Sequence, residues 1–248
     1  MRRILTLSLL CAACSAPAPA PHTAAAPPGA SPRETPSETT APETTSPSGG
    51  HRHGAGYHKD FSNAGAFSGS FDDPARDAWQ HPAEVVALLK VPKGSVVADL
   101  GAGTGYFAAP LSESVGPSGK VLALDVEPKM IDFLKRRVHE QKLPNVEPRL
   151  VQADDPGLAP GSVARVLVVN TWHHIDDRAS YARKLSQGLA PGGEIWIVDF
   201  TRESEHGPPA QYRLDAEQVI AELEQGGLHA ELIEPEPLPR QYIVRARR

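Results

Sequence analysis

The sequence has little cysteine, no excess of basic residues and no long apolar segment. Its two cysteines, Cys11 and Cys14, lie near the amino terminus, so the rest of the chain has no thiol for a disulfide or a cysteine-ligated zinc site. The 248 residues include 25 Lys and Arg against 30 Asp and Glu, and the formal net charge of -5 disfavours a nucleic-acid partner. The apolar segment 4–10 is too short to span a bilayer.

The first residues have the features of an export signal. Arg2 and Arg3 supply positive charge, residues 4–10 are apolar, and small residues precede Cys14. This order resembles a bacterial lipoprotein signal, which implies lipidation of Cys14 and a membrane anchor on the periplasmic side of the cell envelope. An ordinary secretory signal, cleaved after an Ala-x-Ala-like site, is the alternative. The protein stays in the cytoplasm if the signal is not used.

Composition divides the remaining chain into three parts. Residues 15–55 are rich in Pro, Thr and Ser and have almost nothing to bury, which predicts a disordered tether after the signal at 1–14. Residues 56–93 include FDDPARDAWQHPAEVVALLK, whose apolar positions favour a helical lid. Residues 94–248 form the predicted main domain.

Apolar strands alternate with helical patterns in the main domain. SVVADL and KVLALDV are near-continuous apolar runs, whereas PKMIDFLKRRVHEQK has helical periodicity. This alternation predicts an α/β fold with a mostly parallel sheet and helices on both faces. In detail we expect a third strand over 146–154, a turn over 190–193 that closes the preceding helix, and a capping box formed by Asp215 and Gln218.

A glycine-rich turn follows the first predicted strand in VVADLGAGTGYF, residues 96–107. Glycines permit a positive φ and a close approach of the backbone to a ligand. Dinucleotide-binding turns have the spacing G-x-G-x-x-G, but here the spacing is G-x-G-x-G and Tyr106 stands where the third glycine would be. This difference disfavours an NAD-dependent oxidoreductase, which is the alternative for such a turn.

Acidic and amide residues follow the predicted strands at the same edge of the sheet. Asp99 would repel a pyrophosphate, but it can pair with the ammonium group of a methionine moiety. Asp125 ends the second strand, where an acid accepts hydrogen bonds from ribose hydroxyls. Asp154 follows the third strand and can accept a hydrogen bond from an adenine amino group, and Asn170 ends the fourth strand beside the ligand.

Five ordered stretches are similar to the class I S-adenosylmethionine-dependent methyltransferases, in particular the group typified by ubiquinone and menaquinone C-methyltransferases. They are VVADLGAGTGYF, VLALDVEPKMIDFLKRR, QADD, VLVVNTWHHI and LAPGGEIWIVDF. The resemblance implies a Rossmann-like seven-stranded sheet with one antiparallel strand, S-adenosyl-L-methionine as cofactor, and a small-molecule or lipid-like methyl acceptor. The predicted cofactor contacts are Asp99, Gly101, Ala102, Gly103, Thr104, Gly105, Asp125, Val126, Asp154, Asp155 and Asn170.

The loop NTWHHIDDR, residues 170–178, contains the candidate catalytic residues. His173 or His174 is the predicted general base, because histidine exchanges protons near neutral pH. The alternative is that one histidine caps or packs beneath the loop while Trp172 fills the core. An exported chain also leaves open a non-catalytic module that binds S-adenosylmethionine or S-adenosylhomocysteine.

Aromatic residues in the amino-terminal segment predict a lid. Tyr57, Phe61 and Trp79 are expected to close over the ligand and exclude water. Four histidines also lie here, but their spacing fits no standard metal site and we predict no metal. They are His51, His53, His58 and His81.

Overall fold

The computed structural model describes residues 56–57, 69, 71–234 and 238–248. The predicted export signal with Cys14, the whole predicted tether over 15–55 and Phe61 lie outside these residues, as do His51, His53 and His58. Within the described ranges, no helix combines the length and apolar character needed to cross a membrane.

Seven strands form one sheet in the order β3-β2-β1-β4-β5-β7-β6. Strand β7 is antiparallel to β5 and β6, whereas the pairs among β1 to β5 are parallel. This topology confirms the predicted Rossmann-like sheet with one antiparallel strand. The strands are β1 (Val96–Leu100), β2 (Lys120–Asp125), β3 (Val146–Leu150), β4 (Val163–Val169), β5 (Leu189–Phe200), β6 (His229–Leu232) and β7 (Gln241–Arg247).

Six α-helices accompany the sheet in the described part of the chain. They are α1 (Asp77–Gln80), α2 (Pro82–Leu88), α3 (Ala108–Val115), α4 (Pro128–Glu140), α5 (Arg178–Gly188) and α6 (Ala216–Gln225). Short 3-10 helices cover Pro74–Arg76, Trp172–His174 and Ala210–Tyr212.

The apolar core lies on both faces of the sheet. In β4, Val168 packs in the cluster that contains Leu185 of α5, whereas its neighbour Leu167 packs in the cluster that contains Leu111 of α3. Successive strand residues point to opposite faces, so a central strand that is covered on both sides must be apolar throughout. This burial explains the near-continuous apolar runs in the sequence.

Two predicted strand boundaries are wrong. Strand β3 ends at Leu150 rather than at residue 154, because its neighbour in the sheet, β2, ends at Asp125 opposite Leu150. The turn predicted over 190–193 does not stand apart from the sheet. It lies within β5 as an irregularity between the pairs Val163–Leu189 and Arg165–Glu194, and Gly192 adopts a φ of 73° there.

The predicted capping box at α6 is also wrong. Asp215 occupies the N-cap position, but its side chain makes no capping hydrogen bond. Its carboxylate instead pairs with Arg202, whose Nη2 donates a hydrogen bond of 2.6 Å. Gln218 bonds to Glu222 one turn along the helix. A long-range ion pair has therefore replaced the local cap.

Candidate functional site

The carboxyl ends of β1, β2, β4 and β5 meet at one edge of the sheet. Asp99 of β1 pairs with Ala123 of β2 and Leu167 of β4, and Val169 of β4 pairs with Val198 of β5. In an open parallel sheet, ligands bind beyond this edge. The predicted site residues lie on the segments that leave these strands.

The three glycines of the turn have different physical roles. All three have positive φ, at 72° for Gly101, 54° for Gly103 and 85° for Gly105. A Cβ atom on Gly101 would lie 2.2 Å from Thr171 Oγ1, and one on Gly105 would lie 2.3 Å from Leu134 Cδ1. Gly101 and Gly105 are therefore required for packing. A Cβ on Gly103 would meet its nearest atom only at 3.7 Å, which leaves this position accessible to a ligand.

Asp125 organises the glycine turn. Its Oδ2 accepts a hydrogen bond of 2.8 Å from the Gly103 N–H, and its Oδ1 accepts one of 2.9 Å from the Glu127 N–H. Burial raises the pKa of this carboxyl group, whereas the backbone N–H donors lower it. Each carboxylate oxygen can accept more than one hydrogen bond, so the contacts with the turn leave capacity for ligand hydroxyls.

Asp99 is buried without full hydrogen bonding. The residue is 3% exposed, and its Oδ2 has no hydrogen-bond partner among the described residues. Burial, together with the nearby Asp125, raises the pKa of Asp99 to about 7, although Arg76 acts to lower it. A buried carboxyl group without a partner is costly and marks a site that a ligand can complete.

Ala102 and Thr104 attach the turn to neighbouring parts of the fold. The Ala102 N–H donates to the Leu124 carbonyl at 3.0 Å. The Thr104 hydroxyl is buried and donates to Asp72 Oδ1 at 2.8 Å. Both residues fix the turn in place, and Thr104 attaches it to the amino-terminal segment.

The ends of β2 and β3 present an apolar surface with acidic residues beyond it. Val126 and Leu150 are each 53% exposed. Asp154 and Asp155 follow on an exposed loop, where the Asp155 carboxylate accepts a hydrogen bond of 2.8 Å from the Gly157 N–H. The structure thus places Val126 beside Asp125, and it places Asp154 and Asp155 farther out on the loop after β3.

Asn170, which follows β4, belongs to a ring of three side-chain amides. Gln80 donates to Gln241 at 2.7 Å, Gln241 donates to Asn170 at 2.5 Å, and Asn170 donates to Gln80 at 3.3 Å. Gln80 ends α1 and Gln241 begins β7, and both are fully buried. The ring connects the amino-terminal segment to the centre of the sheet edge.

His173 forms a buried pair with Asp199, a residue that we did not predict. The Nδ1 atom lies 2.9 Å from both oxygens of the Asp199 carboxylate. His173 is 4% exposed and Asp199 is 2% exposed. Asp199 is the penultimate residue of β5, next to β4, and an acidic residue at the end of an otherwise apolar strand was the available indication in the sequence.

The two neighbours of His173 in the chain, Trp172 and His174, have structural contacts. Trp172 is fully buried and its indole N–H donates to Glu222 at 3.0 Å, so the expectation that it fills the core is confirmed. The Nδ1 of His174 contacts the Tyr57 carbonyl oxygen, and the two rings stack with centroids 5.5 Å apart. His174 therefore holds the segment that contains Tyr57.

The predicted lid residues contact the loop after β5. Tyr57 packs against Tyr212 with ring centroids 4.8 Å apart. Trp79 lies 5.9 Å from the Phe200 ring and 5.2 Å from the His206 ring. The amino-terminal segment and the loop after β5 thus share an aromatic contact surface near the sheet edge.

His81 is the one member of the predicted amino-terminal histidine group that lies within the described residues, and its partners are local. His81 pairs with Glu84 and contacts the Ala78 carbonyl oxygen at 3.0 Å. Across the described ranges, no group of three or more His, Cys, Asp or Glu side chains is arranged to hold a metal ion.

Asp99 leads to a prediction about stability and pH. Because its pKa is about 7 in the folded protein and about 4 in an unfolded chain, the folded state binds more protons in this window and loses stability as the pH rises through it. We expect Asp99→Asn to reduce this loss. Urea unfolding without ligand at about pH 5 and about pH 8 measures the effect.

The exposed residue Asp132 of α4 provides the control for this measurement. Asp132→Asn should leave the difference in unfolding free energy between the two pH values unchanged. An equal pH dependence in Asp99→Asn and the unaltered protein would contradict the assignment of a raised pKa to Asp99.

Comparison of the sequence with known proteins finds similarity to methyltransferases. Residues 97–193 match the family model described as "Methyltransferase domain". The chain is 31% identical over 123 residues to a demethylmenaquinone methyltransferase of Lactococcus lactis subsp. lactis, which covers 50% of this chain and 48% of the relative. It is 31% identical over 118 residues to a ubiquinone/menaquinone biosynthesis C-methyltransferase of Pasteurella multocida, which covers 45% and 42%. The chain thus spans about half the length of the curated relatives it matches.

A solved structure extends the match over more of the domain. A SAM-dependent methyltransferase from Aquifex aeolicus superposes with a TM-score of 0.70 and 26% sequence identity, covering 76% of this chain and 98% of the other. The sheet order, the glycine turn and the acidic residues at the strand ends agree with this similarity. The domain therefore has the Rossmann-like fold of the class I S-adenosylmethionine-dependent methyltransferases.

Proposed function

We propose that this protein is an S-adenosylmethionine-dependent methyltransferase that acts on a small-molecule or lipid-like acceptor. The observation that carries the proposal is the pair of acidic residues at the glycine turn. Asp125 accepts a backbone hydrogen bond from Gly103, and Asp99 keeps a buried oxygen without a partner. A ligand with ribose hydroxyls and an ammonium group complements both.

The residues at the sheet edge fit the cofactor. Asp125 would accept hydrogen bonds from the ribose hydroxyls, and Asp99 would pair with the ammonium group. Val126 and Leu150 offer exposed apolar surface to the adenine ring, and Asp154 supplies a carboxylate for the adenine amino group. When bound, S-adenosylmethionine supplies a sulfonium methyl group that an acceptor atom takes as the sulfur–methyl bond breaks.

The His173–Asp199 pair favours His173 over His174 as the general base. The Asp199 carboxylate only accepts hydrogen bonds, so the His173 Nδ1 carries the proton and donates it. The Nε2 atom of the neutral ring is then a lone-pair acceptor that can take the proton of the acceptor group during in-line displacement. In this arrangement a buried carboxylate orients the base.

The acceptor class is supported by the relatives. One of them is named a demethylmenaquinone methyltransferase and another a ubiquinone/menaquinone biosynthesis C-methyltransferase. Aromatic contacts between the amino-terminal segment and the loop after β5, such as Tyr57 with Tyr212, suit a planar apolar acceptor. Methyltransferase activity is tested by release of S-adenosylhomocysteine in the presence of cell-envelope lipid extracts. Tight cofactor binding without turnover would favour the non-catalytic binding module instead.

Asp125→Ala tests the cofactor site. The substitution removes charge-assisted hydrogen bonds worth about 1.5–3 kcal/mol each, so we expect binding of S-adenosylhomocysteine to weaken by at least about tenfold. Isothermal titration calorimetry measures the affinity. Asp132→Ala, on the exposed surface of α4, should bind as the unaltered protein does. Unchanged affinity in Asp125→Ala would refute the assigned site.

His173→Gln tests the general base. We expect turnover to fall by about 10²–10⁴-fold because no group then accepts the proton, whereas binding of S-adenosylhomocysteine stays within about twofold. Asp199→Asn should also reduce turnover, because an amide can donate to Nδ1 and favour the wrong tautomer. The exposed His139 provides the control, and His139→Gln should retain full turnover. Full turnover in His173→Gln would exclude this histidine as the base.

We also propose that the chain is exported and anchored through a lipid on Cys14. The proposal rests on the sequence of the first residues, namely the positive charge of Arg2 and Arg3, the apolar segment 4–10 and the small residues before Cys14. We expect metabolic labelling with a radioactive fatty acid to mark the protein, and Cys14→Ala to abolish the label. Cys11→Ala is the matched control and should keep it. Label that persists in Cys14→Ala would contradict the proposal.

A further inference from the structure

Glu222 of α6 bonds to both ends of the segment that carries His173, residues 172–178, which we call the base segment. Its Oε2 atom accepts hydrogen bonds of 3.0 Å from the Trp172 indole N–H and 2.8 Å from Arg178 Nε. Trp172 and Arg178 are the first and last residues of the base segment. A single carboxylate oxygen thus joins its two ends.

Arg178 also bonds to the middle of the base segment. Its Nη1 donates a hydrogen bond of 2.8 Å to the Ile175 carbonyl oxygen. Trp172 and Arg178 are buried, and the Glu222 side chain is 14% exposed. Hydrogen bonds to charged groups are strong, and partial exclusion of water strengthens them further. These contacts therefore restrict the base segment to one conformation.

The second oxygen of Glu222 is bonded as well. Gln218, one turn earlier in α6, donates to Oε1 at 3.1 Å. Gln218 therefore orients the Glu222 carboxylate instead of forming the predicted capping box with Asp215. With both oxygens bonded, the carboxylate is fixed in its orientation towards the base segment.

Close packing of α5 and α6 brings Arg178 and Glu222 together. A Cβ atom on Gly226 would lie 2.4 Å from the Ala182 Cβ, so the absence of a side chain at Gly226 allows this close approach. Arg178 lies one turn before Ala182, and Glu222 lies one turn before Gly226. The ion pair is therefore placed by the packing of the two helices.

His173 depends on an accurate position of the base segment. Its Nδ1 lies 2.9 Å from both oxygens of Asp199, which belongs to β5 rather than to the base segment. Movement of the segment relative to the sheet would lengthen these contacts and turn the ring. A displacement of about 1 Å in a catalytic group can lower a rate by about 10²-fold.

We propose that Glu222 is a positioning residue for the general base, because it holds the base segment where His173 stays paired with Asp199. It acts through the two ends of the segment rather than by contact with the acceptor or the cofactor. This inference rests on the proposed function.

Two substitutions of Glu222 separate the length of its side chain from its charge. Glu222→Asp keeps the charge but is shorter by one methylene group, so its carboxylate no longer reaches both donors of the base segment. Glu222→Gln loses the charge but keeps the length and an acceptor oxygen. A positioning role requires the length, so the glutamine variant should retain function better than the aspartate variant.

The protonation of the His173 ring is the first measurement, and it needs no acceptor. Nitrogen-15 NMR of the imidazole, with S-adenosylhomocysteine bound at about pH 8, identifies the nitrogen that carries the proton of the neutral ring. His173→Gln assigns the signal. We expect a protonated Nδ1 in the unaltered protein and in Glu222→Gln. In Glu222→Asp we expect a mixture of both tautomers, because the ring then lacks its carboxylate partner.

Turnover is the second measurement, with cell-envelope lipid extract as the source of acceptor. Glu222→Asp should lower the release of S-adenosylhomocysteine by about tenfold or more. Glu222→Gln should stay within about threefold of the unaltered protein. Affinity for S-adenosylhomocysteine, measured by calorimetry, should be unchanged in both variants. Glu224→Asp makes the same change at an exposed position of α6 and should leave the ring signal and turnover unchanged.

The outcomes distinguish failure of the positioning role from failure of the proposed function. Thermal unfolding of each variant establishes that it is folded. Greater loss of turnover in Glu222→Gln than in Glu222→Asp would mean that Glu222 only balances the charge of Arg178. An unchanged His173 tautomer in Glu222→Asp would mean that the carboxylate does not position the base. Either result overturns the positioning role while the proposed function stands. An unaltered protein that releases no S-adenosylhomocysteine with the extract would overturn both.

Discussion

Burial of the Asp99 carboxyl group beside Asp125 is the costly interaction on which the ligand-binding edge depends. Burial keeps water from Asp99 and the nearby Asp125 further disfavours its ionisation, so the pKa of Asp99 rises to about 7. The sheet holds Asp99 in place because β1 is paired on both sides, opposite Ala123 and Leu167. The fold thus maintains a polar group that it does not satisfy, as expected of a binding site rather than of a packing core.

The glycine turn is held by contacts with elements far away in sequence. Asp125 fixes the Gly103 N–H from the neighbouring strand, and Thr104 bonds to Asp72 of the amino-terminal segment. Gly101 lies so close to Thr171 that no larger residue fits without movement. The turn is therefore preorganised by its surroundings, which reduces the ordering that a ligand must induce.

The parallel register of β4 and β5 brings His173 and Asp199 together at this edge of the sheet. Because both strands run in the same direction and pair up to Val169 and Val198, the residues that follow them meet at one edge. His173 lies on the loop that follows β4, Asp199 is the penultimate residue of β5, and the two side chains form a buried pair. A base oriented in this way requires two strands whose ends are aligned, rather than any local sequence motif.

Much of the fold and part of the site follow from the sequence. Apolar runs that alternate with helical patterns specify strands and helices, because only such patterns bury apolar surface on a two-sided sheet. The positions of Asp99, Asp125 and Asn170 at strand ends then place them at one edge, since all parallel strands end there. The sequence also distinguishes the turn from a dinucleotide turn through the residue at Tyr106.

Only the tertiary structure decides which polar groups become partners. The sequence predicts Asp215 as part of a local cap, but the folded chain offers it Arg202, and a charged partner competes successfully for the carboxylate. In the same way, packing brings Asp199 to His173 and seats Arg76 on Tyr106. Local patterns encode burial and periodicity, whereas such pairs depend on the distance between residues that are remote in the chain, and that distance is set by how the elements pack.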